Sequence, residues 1–384
     1  MRPGGLGRVG YRALAGAVKV LFPIRRSAGP ASPARVLVIG SGGIGDIVMK
    51  TPLLACLRGG FPRAEIVLFT SPGPECEIIR GHPAVDRIIT LEDREALSLR
   101  APGQMLAWLR KLRTERFDIS ITTHYGISFR AAFFSYLVGA PTRVGFDRGG
   151  RGSLYNVRVA VGSPGERHAV EWNLDLARAL GLGVESPALS VALAPREREA
   201  ASALLRGCRI GDGRRLLVGI FPGSKRSTRL WRSERFAAVA DALAEAYRAD
   251  ILLLGGPGER AAVAEIERAM RAPAAVAVGQ SVRDTAALIE RCGLVISTDS
   301  GPMHLAAALG APVVALFGPE TPVRVGPWTD HAAVIQHDFA CSPCHTGGCR
   351  LGTNACMEAI TVDDVLEAVR ANSERWGLEP FRRC

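Results

Sequence analysis

Long apolar runs are absent from this sequence of 384 residues. A helix that crosses a bilayer needs about 20 consecutive apolar residues. No segment reaches that length, and Lys19 interrupts the best candidate, near the start of the chain. The sequence therefore predicts no membrane-spanning helix.

Acidic residues are absent from the first 30 positions, which hold six basic ones. These are Arg2, Arg8, Arg12, Lys19, Arg25 and Arg26. The segment supplies six of the eleven net positive charges, so the basic character of the chain belongs largely to its start. A chain whose folded part is nearly balanced in charge gives no reason to expect a nucleic-acid partner.

Residues 1–33 have two open interpretations. Apolar side chains stand among the cations, so the segment is typical of an amphipathic anchor on an anionic membrane face. A flexible leader explains the same composition equally well. A secretory signal is disfavoured, because the apolar patch is short and Arg25 and Arg26 follow it. We expect a cytoplasmic protein. The amphipathic-anchor interpretation would place it on the inner face of the cytoplasmic membrane.

The length and composition favour two α/β domains. Hydrophobic residues make up 47% and charged residues 22% of the chain, which is typical of well-packed soluble domains rather than of disorder. One core rarely organises so long a chain. Strands and helices alternate twice, which predicts domains at 34–190 and 191–371, followed by a tail at 372–384.

A glycine-rich turn follows the first predicted strand, residues 35–39. It satisfies G-x-G-x-x-G and raises a dinucleotide site as the first hypothesis. Such a site needs an acid at the end of the second strand, and the strand predicted at 66–69 ends instead in Thr70 and Ser71. We therefore interpret Gly42, Gly43 and Gly45 as permitting close approach of another ligand.

Asp46 begins the helix predicted at 46–57. An acid at a helix start is sufficiently explained by the helix dipole, which favours a carboxylate there. The alternative is a functional carboxylate that faces the crevice at the carboxyl edge of the sheet. The cations Lys50, Arg130, Arg148 and Arg151 of this half are expected on a solvated surface.

The stretch 294–318 predicts strand, sharp turn, helix and strand. Asp299 and Ser300 are capping residue types, Gly301 and Pro302 suit a tight entry into the helix, and Gly310 ends it. Such a helix start at the carboxyl edge of a parallel sheet is an anion site. His304 in its first turn favours a functional over a purely structural crossover.

Four of the nine cysteines form a cluster with the spacing C-x2-C-x4-C-x6-C. They are Cys341, Cys344, Cys349 and Cys356. Structural zinc is the first interpretation; an iron–sulfur cluster and disulfides remain open. We expect a bound metal to brace the loop before the last helix, 362–371, and to take no part in catalysis.

Several long motifs in register resemble glycosyltransferase family 9, the ADP-heptose:lipopolysaccharide heptosyltransferases. They are SGGIGDIVMKTPLLACLR, RVGFD, HAVEWNLDLARALG, FPGSKRSTRLWRSERFAAVADAL, STDSGPMHLAAALGAPVVALFGPETPVRVGP and the closing cysteine motif with CMEAITVDDVLEAV. The resemblance implies a GT-B fold, an α/β architecture of two facing doubly wound Rossmann-like domains. The first would hold a lipid-linked glycan acceptor and the second a nucleotide-sugar donor. Transfer would invert the anomeric centre, with no cofactor for catalysis.

The resemblance also assigns roles to residues. It implies that Asp46 is the general base. The family's phosphate-binding lysine falls on Arg229, a departure from the family pattern. The sequence therefore leaves the sugar and the nucleotide of the donor open. Residues expected at the donor are Ser224, Arg229, Glu259, Asp299, Ser300, Gly301, Met303 and His304. The alternatives are a nucleotide-sugar epimerase on the same fold and a non-catalytic membrane-surface binding protein.

Overall fold

The structure is a computed structural model. It describes residues 30–90, 102–123, 129–163, 165–184, 188–211, 213, 215–344 and 348–380, with only the backbone for 102–107. The basic leader up to residue 29 lies outside these ranges, so the predicted membrane anchor stays a prediction. Contacts divide the chain into two units, Met1–Pro187 and Ala188–Cys384.

The first unit is built on a sheet of six strands in the order β3-β2-β1-β4-β5-β6. All of its paired strands are parallel. The strands are β1 (Arg35–Ile39), β2 (Glu65–Thr70), β3 (Arg87–Thr90), β4 (Ile119–Thr122), β5 (Thr142–Asp147) and β6 (Val157–Ala160). The helices are α1 (Ile44–Val48), α2 (Thr51–Gly60), α3 (Pro74–Ile79), α4 (Pro102–Thr114), α5 (Phe129–Val138) and α6 (Ala169–Arg178).

The helix predicted at 46–57 is two helices, α1 and α2, because of Pro52. A proline has no N–H to donate to the carbonyl four residues earlier, here that of Val48. The hydroxyl of Thr51 donates to that carbonyl instead, at 2.7 Å. The chain therefore starts a new helix, and Lys50 becomes the residue that precedes its first turn.

The second unit repeats the same winding in the order β12-β11-β10-β7-β8-β9, again with parallel pairs. The strands are β7 (Leu217–Phe221), β8 (Asp250–Gly255), β9 (Ala274–Val278), β10 (Leu294–Thr298), β11 (Val313–Phe317) and β12 (Ala332–Gln336). The helices are α7 (Pro195–Gly207), α8 (Ser233–Tyr247), α9 (Arg260–Ala269), α10 (Val282–Glu290), α11 (Gly301–Leu309), α12 (Pro322–Val325), α13 (Ala355–Glu358) and α14 (Val362–Trp376). Short 3-10 turns lie at Ser227–Arg229 and Pro257–Glu259.

Burial of apolar side chains accounts for the central strands and for the length of the last helix. Strands β7, β10 and β11 are buried along their whole length, as expected for parallel strands covered by helices on both faces. Helix α14 runs five residues beyond its predicted end at residue 371, because Trp376 is buried in the core and Gly377 ends the helix with φ 67°. No helix in the described part of the chain is both long and apolar enough to cross a membrane.

Each sheet has one point at which the strand order reverses. In the first unit it lies between β1 and β4, and in the second between β7 and β10. Connections leave in opposite directions there, so a crevice opens beyond the carboxyl ends of the two strands. The glycine turn follows β1, and the turn with Asp299 follows β10, so both predicted sites lie at a reversal point.

Candidate active site

The glycine turn in the first unit is shaped by close approach. Gly42 has φ 143°, and a Cβ on it would lie 2.4 Å from Oδ2 of Asp46. A Cβ on Gly40 would lie 2.6 Å from the hydroxyl oxygen of Thr123, at the end of β4. Any larger residue at either position would therefore displace the turn or the groups beside it.

Asp46 is exposed at the start of α1. Its Oδ2 accepts a hydrogen bond from the backbone N–H of Gly43 at 2.8 Å. That N–H has no partner inside the helix, so the carboxylate caps the helix and is itself held in one orientation. No hydrogen bond to the second oxygen, Oδ1, is present among the described residues, which leaves it available to a substrate hydroxyl.

Lys50 contradicts the expectation of a solvated cation, since only 4% of it is exposed. Its Nζ donates to the backbone carbonyl of Ser41 at 3.0 Å, beneath the glycine turn. Arg130, Arg148 and Arg151 are exposed, as expected. The local sequence does not distinguish Lys50 from these arginines, because burial of one cation depends on where the turn folds over it.

Arg229 and Asp299 are brought together in the second unit. Nη1 of Arg229 lies 3.0 Å from Oδ2 of Asp299 and donates to its backbone carbonyl at 3.2 Å. Asp299 is 3% exposed, and the side chain of Arg229 is 15% exposed. The Nε of Arg229 is buried and has no hydrogen-bond partner within the described ranges. Arg229 is therefore held in place mainly through its Nη atoms, by the buried carboxylate and backbone carbonyl of Asp299.

Glu320 is a site residue that sequence reasoning missed. It is 1% exposed, and its Oε2 lies 3.5 Å from Nη2 of Arg229 and 2.7 Å from Nη2 of Arg324. The available signal was its position three residues after β11, the neighbour of β10, where parallel strands end at one edge. The two arginines and the carboxylates of Asp299 and Glu320 form one cluster of balanced charge.

The cluster perturbs Asp299. Burial raises the pKa of this carboxyl to about 6, while the guanidinium of Arg229 opposes the rise and the carboxylate of Glu320 adds to it. The neighbouring guanidinium of Arg229 therefore helps Asp299 to hold its negative charge at neutral pH. Arg229 is thus both a partner of buried acids and a cation at the edge of the sheet.

Helix α11 starts beside this cluster. Its N-cap is Ser300, whose hydroxyl lies 3.1 Å from that of Ser297. The amides at the start of a helix lack intrahelical partners, and Pro302 has none to offer, so Gly301 and Met303 supply the first-turn N–H groups. The side chains of Met303 and His304 are 0% and 4% exposed, respectively. The helix therefore presents backbone donors, while these two side chains lie within the protein.

Ser224 and Glu259 lie in the turns after β7 and β8. A Cβ on Gly223 would lie 2.3 Å from Cγ of Glu259, so the Glu259 side chain rests against the first of these turns. The hydroxyl of Thr298 donates to the carbonyl of Gly223 at 2.9 Å. The three turns after β7, β8 and β10 are therefore neighbours at one edge.

Comparison with known families decides the class of this protein. The model of glycosyltransferase family 9 (heptosyltransferase) matches residues 105–354, which is more than half of the chain. The chain belongs to glycosyltransferase family 9. It is therefore a transferase enzyme, and neither the epimerase nor the non-catalytic alternative fits this assignment.

The relatives of this glycosyltransferase support the family and the fold. Lipopolysaccharide heptosyltransferase 2 of Escherichia coli K12 is 27% identical over 355 residues, which cover 88% of this chain and 98% of that protein. A family 9 glycosyltransferase from Veillonella parvula has a TM-score of 0.75 at 22% identity and covers 91% of this chain and 98% of its own. The heptosyltransferase WaaC of E. coli with ADP-2-deoxy-2-fluoro heptose has a TM-score of 0.67 at 20% identity, covering 88% and 99%. The predicted GT-B fold class is confirmed.

The four-cysteine cluster of this transferase lies against the turns that carry Arg229 and Glu320. Cys341, Cys344, Cys349 and Cys356 line one cavity of about 20 Å³, together with Thr228 and Pro319, the neighbours of Arg229 and Glu320. All four are free thiols. The described residues include no group of three or more histidine, cysteine or acidic side chains already spaced to hold a metal.

One thiol of the cluster is set apart. Nearby backbone N–H groups, those of Asn354 and Leu351 foremost, lower the pKa of the Cys349 thiol. Burial raises the pKa of Cys356. A thiol that accepts several amide donors is stabilised as the thiolate, the form that binds metals. A dodecameric, iron-containing glycosyltransferase of E. coli, TibC, has a TM-score of 0.54 at 12% identity and covers 90% of this chain and 78% of its own.

Proposed function

We propose that this glycosyltransferase moves a heptose from ADP-heptose to the core of a lipopolysaccharide, with inversion and without a catalytic metal. The single observation that carries the proposal is Arg229, a largely buried cation of the turn Ser227–Arg229 that pairs with Asp299, next to the start of α11. The relatives lipopolysaccharide heptosyltransferase 2 and lipopolysaccharide heptosyltransferase 3 of E. coli support the acceptor and the sugar. WaaC, whose structure carries an ADP-heptose analogue, supports the donor.

On the donor side, the second unit neutralises the leaving diphosphate. Sugar transfer passes through an oxocarbenium-like state while negative charge grows on the departing phosphate oxygens. Fixed amide donors and cations act on that charge without reorganising. The first-turn amides of Gly301 and Met303 and the guanidinium of Arg229 fill this role, so these groups take the place a metal ion occupies in other transferases.

On the acceptor side, the first unit supplies the base. Asp46 holds one oxygen in the cap and offers the other to the acceptor hydroxyl. Direct attack of that hydroxyl on the anomeric carbon, opposite the leaving diphosphate, gives a product with inverted configuration. The acid at the helix start is a weak base, but it suffices if the hydroxyl ionises only as the new bond forms.

The proposed acceptor is carried by a lipid, which fits a cytoplasmic enzyme that visits the inner face of the membrane. The six cations of the leader would attract anionic headgroups, at about 1 kcal/mol each near the surface. This part of the proposal rests on sequence and on the named acceptors of the relatives, since the leader lies outside the described residues.

A screen of nucleotide-sugars by thermal shift tests the donor. We expect ADP-heptose to raise the melting temperature at concentrations where UDP-glucose and GDP-mannose do not, because a ligand that binds only the folded state stabilises it by mass action. Stabilisation by a UDP-sugar alone would contradict the ADP assignment. Transfer of radiolabelled sugar to lipopolysaccharide core then checks the acceptor.

We also propose that the four-cysteine cluster holds a structural metal ion, zinc or iron. The shared cavity and the lowered pKa of Cys349 support a metal site. Iron is the alternative to zinc, because the similar glycosyltransferase TibC contains iron. Binding would draw the four thiols together and release their protons. The metal would brace the turns that carry Arg229 and Glu320 and take no part in the sugar chemistry.

Elemental analysis of the purified protein checks this metal. We expect close to one zinc or iron per chain, and a chelator that removes it should lower the melting temperature. Cys349→Ser should lose the metal, whereas Cys208→Ser, at an exposed cysteine outside the cluster, should keep it. A metal-free wild-type protein of unchanged stability would contradict the proposal.

A further inference from the structure

Lys50 is a buried cation for which the reaction described above has no use. Lysines are almost never buried unless they are paired, since the charge loses its hydration. This one is 4% exposed and lies at the junction of α1 and α2, four residues after Asp46. The other lysine in the described part of the first unit, Lys111, is exposed.

The ammonium of Lys50 contacts the turn that carries the proposed base. Nζ donates to the carbonyl of Ser41 at 3.0 Å. The end of its stem lies beneath Gly40, where an added Cβ would meet Cε at 3.1 Å. Removing this side chain would leave the Ser41 carbonyl without that donor and the space beneath Gly40 unfilled.

Each element packed around the ammonium contributes an identified group. The glycine turn contributes the carbonyl of Ser41, and the end of β4 contributes the uncharged Thr123. Helix α1 contributes the carboxylate of Asp46, which is the charge that acts on Lys50 among the described residues. The buried cation and the exposed carboxylate therefore share one turn, with the cation on its inner side.

We propose that Lys50 is a positioning residue for Asp46, resting on the proposed function. Its ammonium holds the glycine turn through Ser41 and attracts the Asp46 carboxylate from within. It thereby keeps that carboxylate aimed at the acceptor hydroxyl. Lys50 touches neither donor nor acceptor, so its effect falls on the rate of transfer and not on the binding of the nucleotide-sugar.

The charge on Lys50 is sensitive to pH. Burial lowers its pKa to about 8, while attraction by Asp46 opposes the shift. The ammonium is present below that value and is lost as the pH rises through it. The positioning effect is therefore available at neutral pH and disappears in mildly alkaline solution.

The kcat of the full-length enzyme, measured from pH 6.5 to 9.5, tests this role. For the wild type we expect kcat to fall as the pH rises through about 8. Lys50→Met keeps the length of the stem and removes the charge, a change that buried sites often tolerate. We expect its kcat at pH 7 to be about tenfold lower, without the alkaline fall and with an unchanged KM for the nucleotide-sugar. Lys111→Met is the matched control and should behave as wild type.

Two outcomes would overturn the assignment of Lys50. One is a wild-type kcat at pH 7 in folded Lys50→Met, and the other is persistence of the alkaline fall in that variant. Lys50→Arg, whose charge does not titrate in this range, provides a second check, because its kcat should stay level where that of the wild type falls.

The Asp46→Asn background separates this proposal from the assignment of the base. If Lys50 acts through Asp46, adding Lys50→Met to Asp46→Asn should slow the residual reaction no further. A full additional loss would overturn the role of Lys50. Normal turnover by Asp46→Asn alone would instead show that Asp46 is not the base.

Discussion

Asp46→Ala should abolish sugar transfer while leaving the affinity for the nucleotide-sugar nearly unchanged. A positioned general base contributes about 10²- to 10⁴-fold to a rate, and the donor is proposed to bind to the other unit. The rate should be followed by transfer to lipopolysaccharide core, and the affinity by calorimetric titration with the donor. Loss of kcat with a constant Kd is the expected signature of a residue used only in the transition state.

Asp46→Asn is the matched control for the helix cap. Its side-chain oxygen can still accept from the N–H of Gly43, so the cap is retained while the negative charge is lost. We expect Asp46→Asn to be as inactive as Asp46→Ala, with a melting temperature closer to the wild type. A turnover close to that of the wild type in either variant would show that the base is another group.

Arg229→Met should weaken both the fold and the binding of the donor. The substitution leaves the carboxylates of Asp299 and Glu320 buried with one cation fewer, and breaking a buried ion pair from one side costs about 3–5 kcal/mol. Charge-assisted hydrogen bonds contribute about 1.5–3 kcal/mol each, so the donor Kd should rise about 10- to 100-fold. Urea unfolding measures the first effect, and titration with the nucleotide-sugar measures the second.

Two further variants distinguish the two roles of Arg229. Arg229→Lys restores the residue type expected from the family and should keep stability and most of the affinity, since it retains the charge but loses the planar fork. Glu320→Gln removes one of the two buried negative charges beside Arg229, so adding it to Arg229→Met should recover part of the lost stability. A donor Kd in folded Arg229→Met equal to the wild-type value would contradict the role of Arg229 at the diphosphate.

Local pattern predicted much of the fold because each signal acts within a few residues. Strand β1 has the bounds predicted at 35–39, and Gly310 ends α11 in the left-handed conformation, with φ 77°. The prediction was wrong at two helix boundaries, for different reasons. Pro52, a local signal, divides the predicted helix because it has no N–H to donate to the carbonyl of Val48, which accepts from the Thr51 hydroxyl instead. Helix α14 continues beyond residue 371 because Trp376 packs in the core, a contact that is distant in sequence.

The residues of the candidate site also fall into two groups, those predicted from the sequence and those that only the structure revealed. Asp299 was predicted from its place after a buried strand, and Arg229 from resemblance alone, and the structure shows them as an ion pair. Glu320 and Lys50 were missed as site residues, since an acid after a strand and a lysine between two helices are common on solvated surfaces. Their burial could not be read from local sequence.

The chain's own sequence determined the alternation of strands and helices, the glycine turn after β1, the start and end of α11 and the membership of glycosyltransferase family 9. These follow from periodicity, backbone preferences and motif order, which are local along the chain. Only the tertiary structure decided which charged side chains are buried and which groups they contact. The ion pairs of Arg229 and the burial of Lys50 depend on groups that are distant in sequence and meet at the reversal point of a sheet. There the charges lose their hydration, so their pKa values and pairing depend on these neighbours.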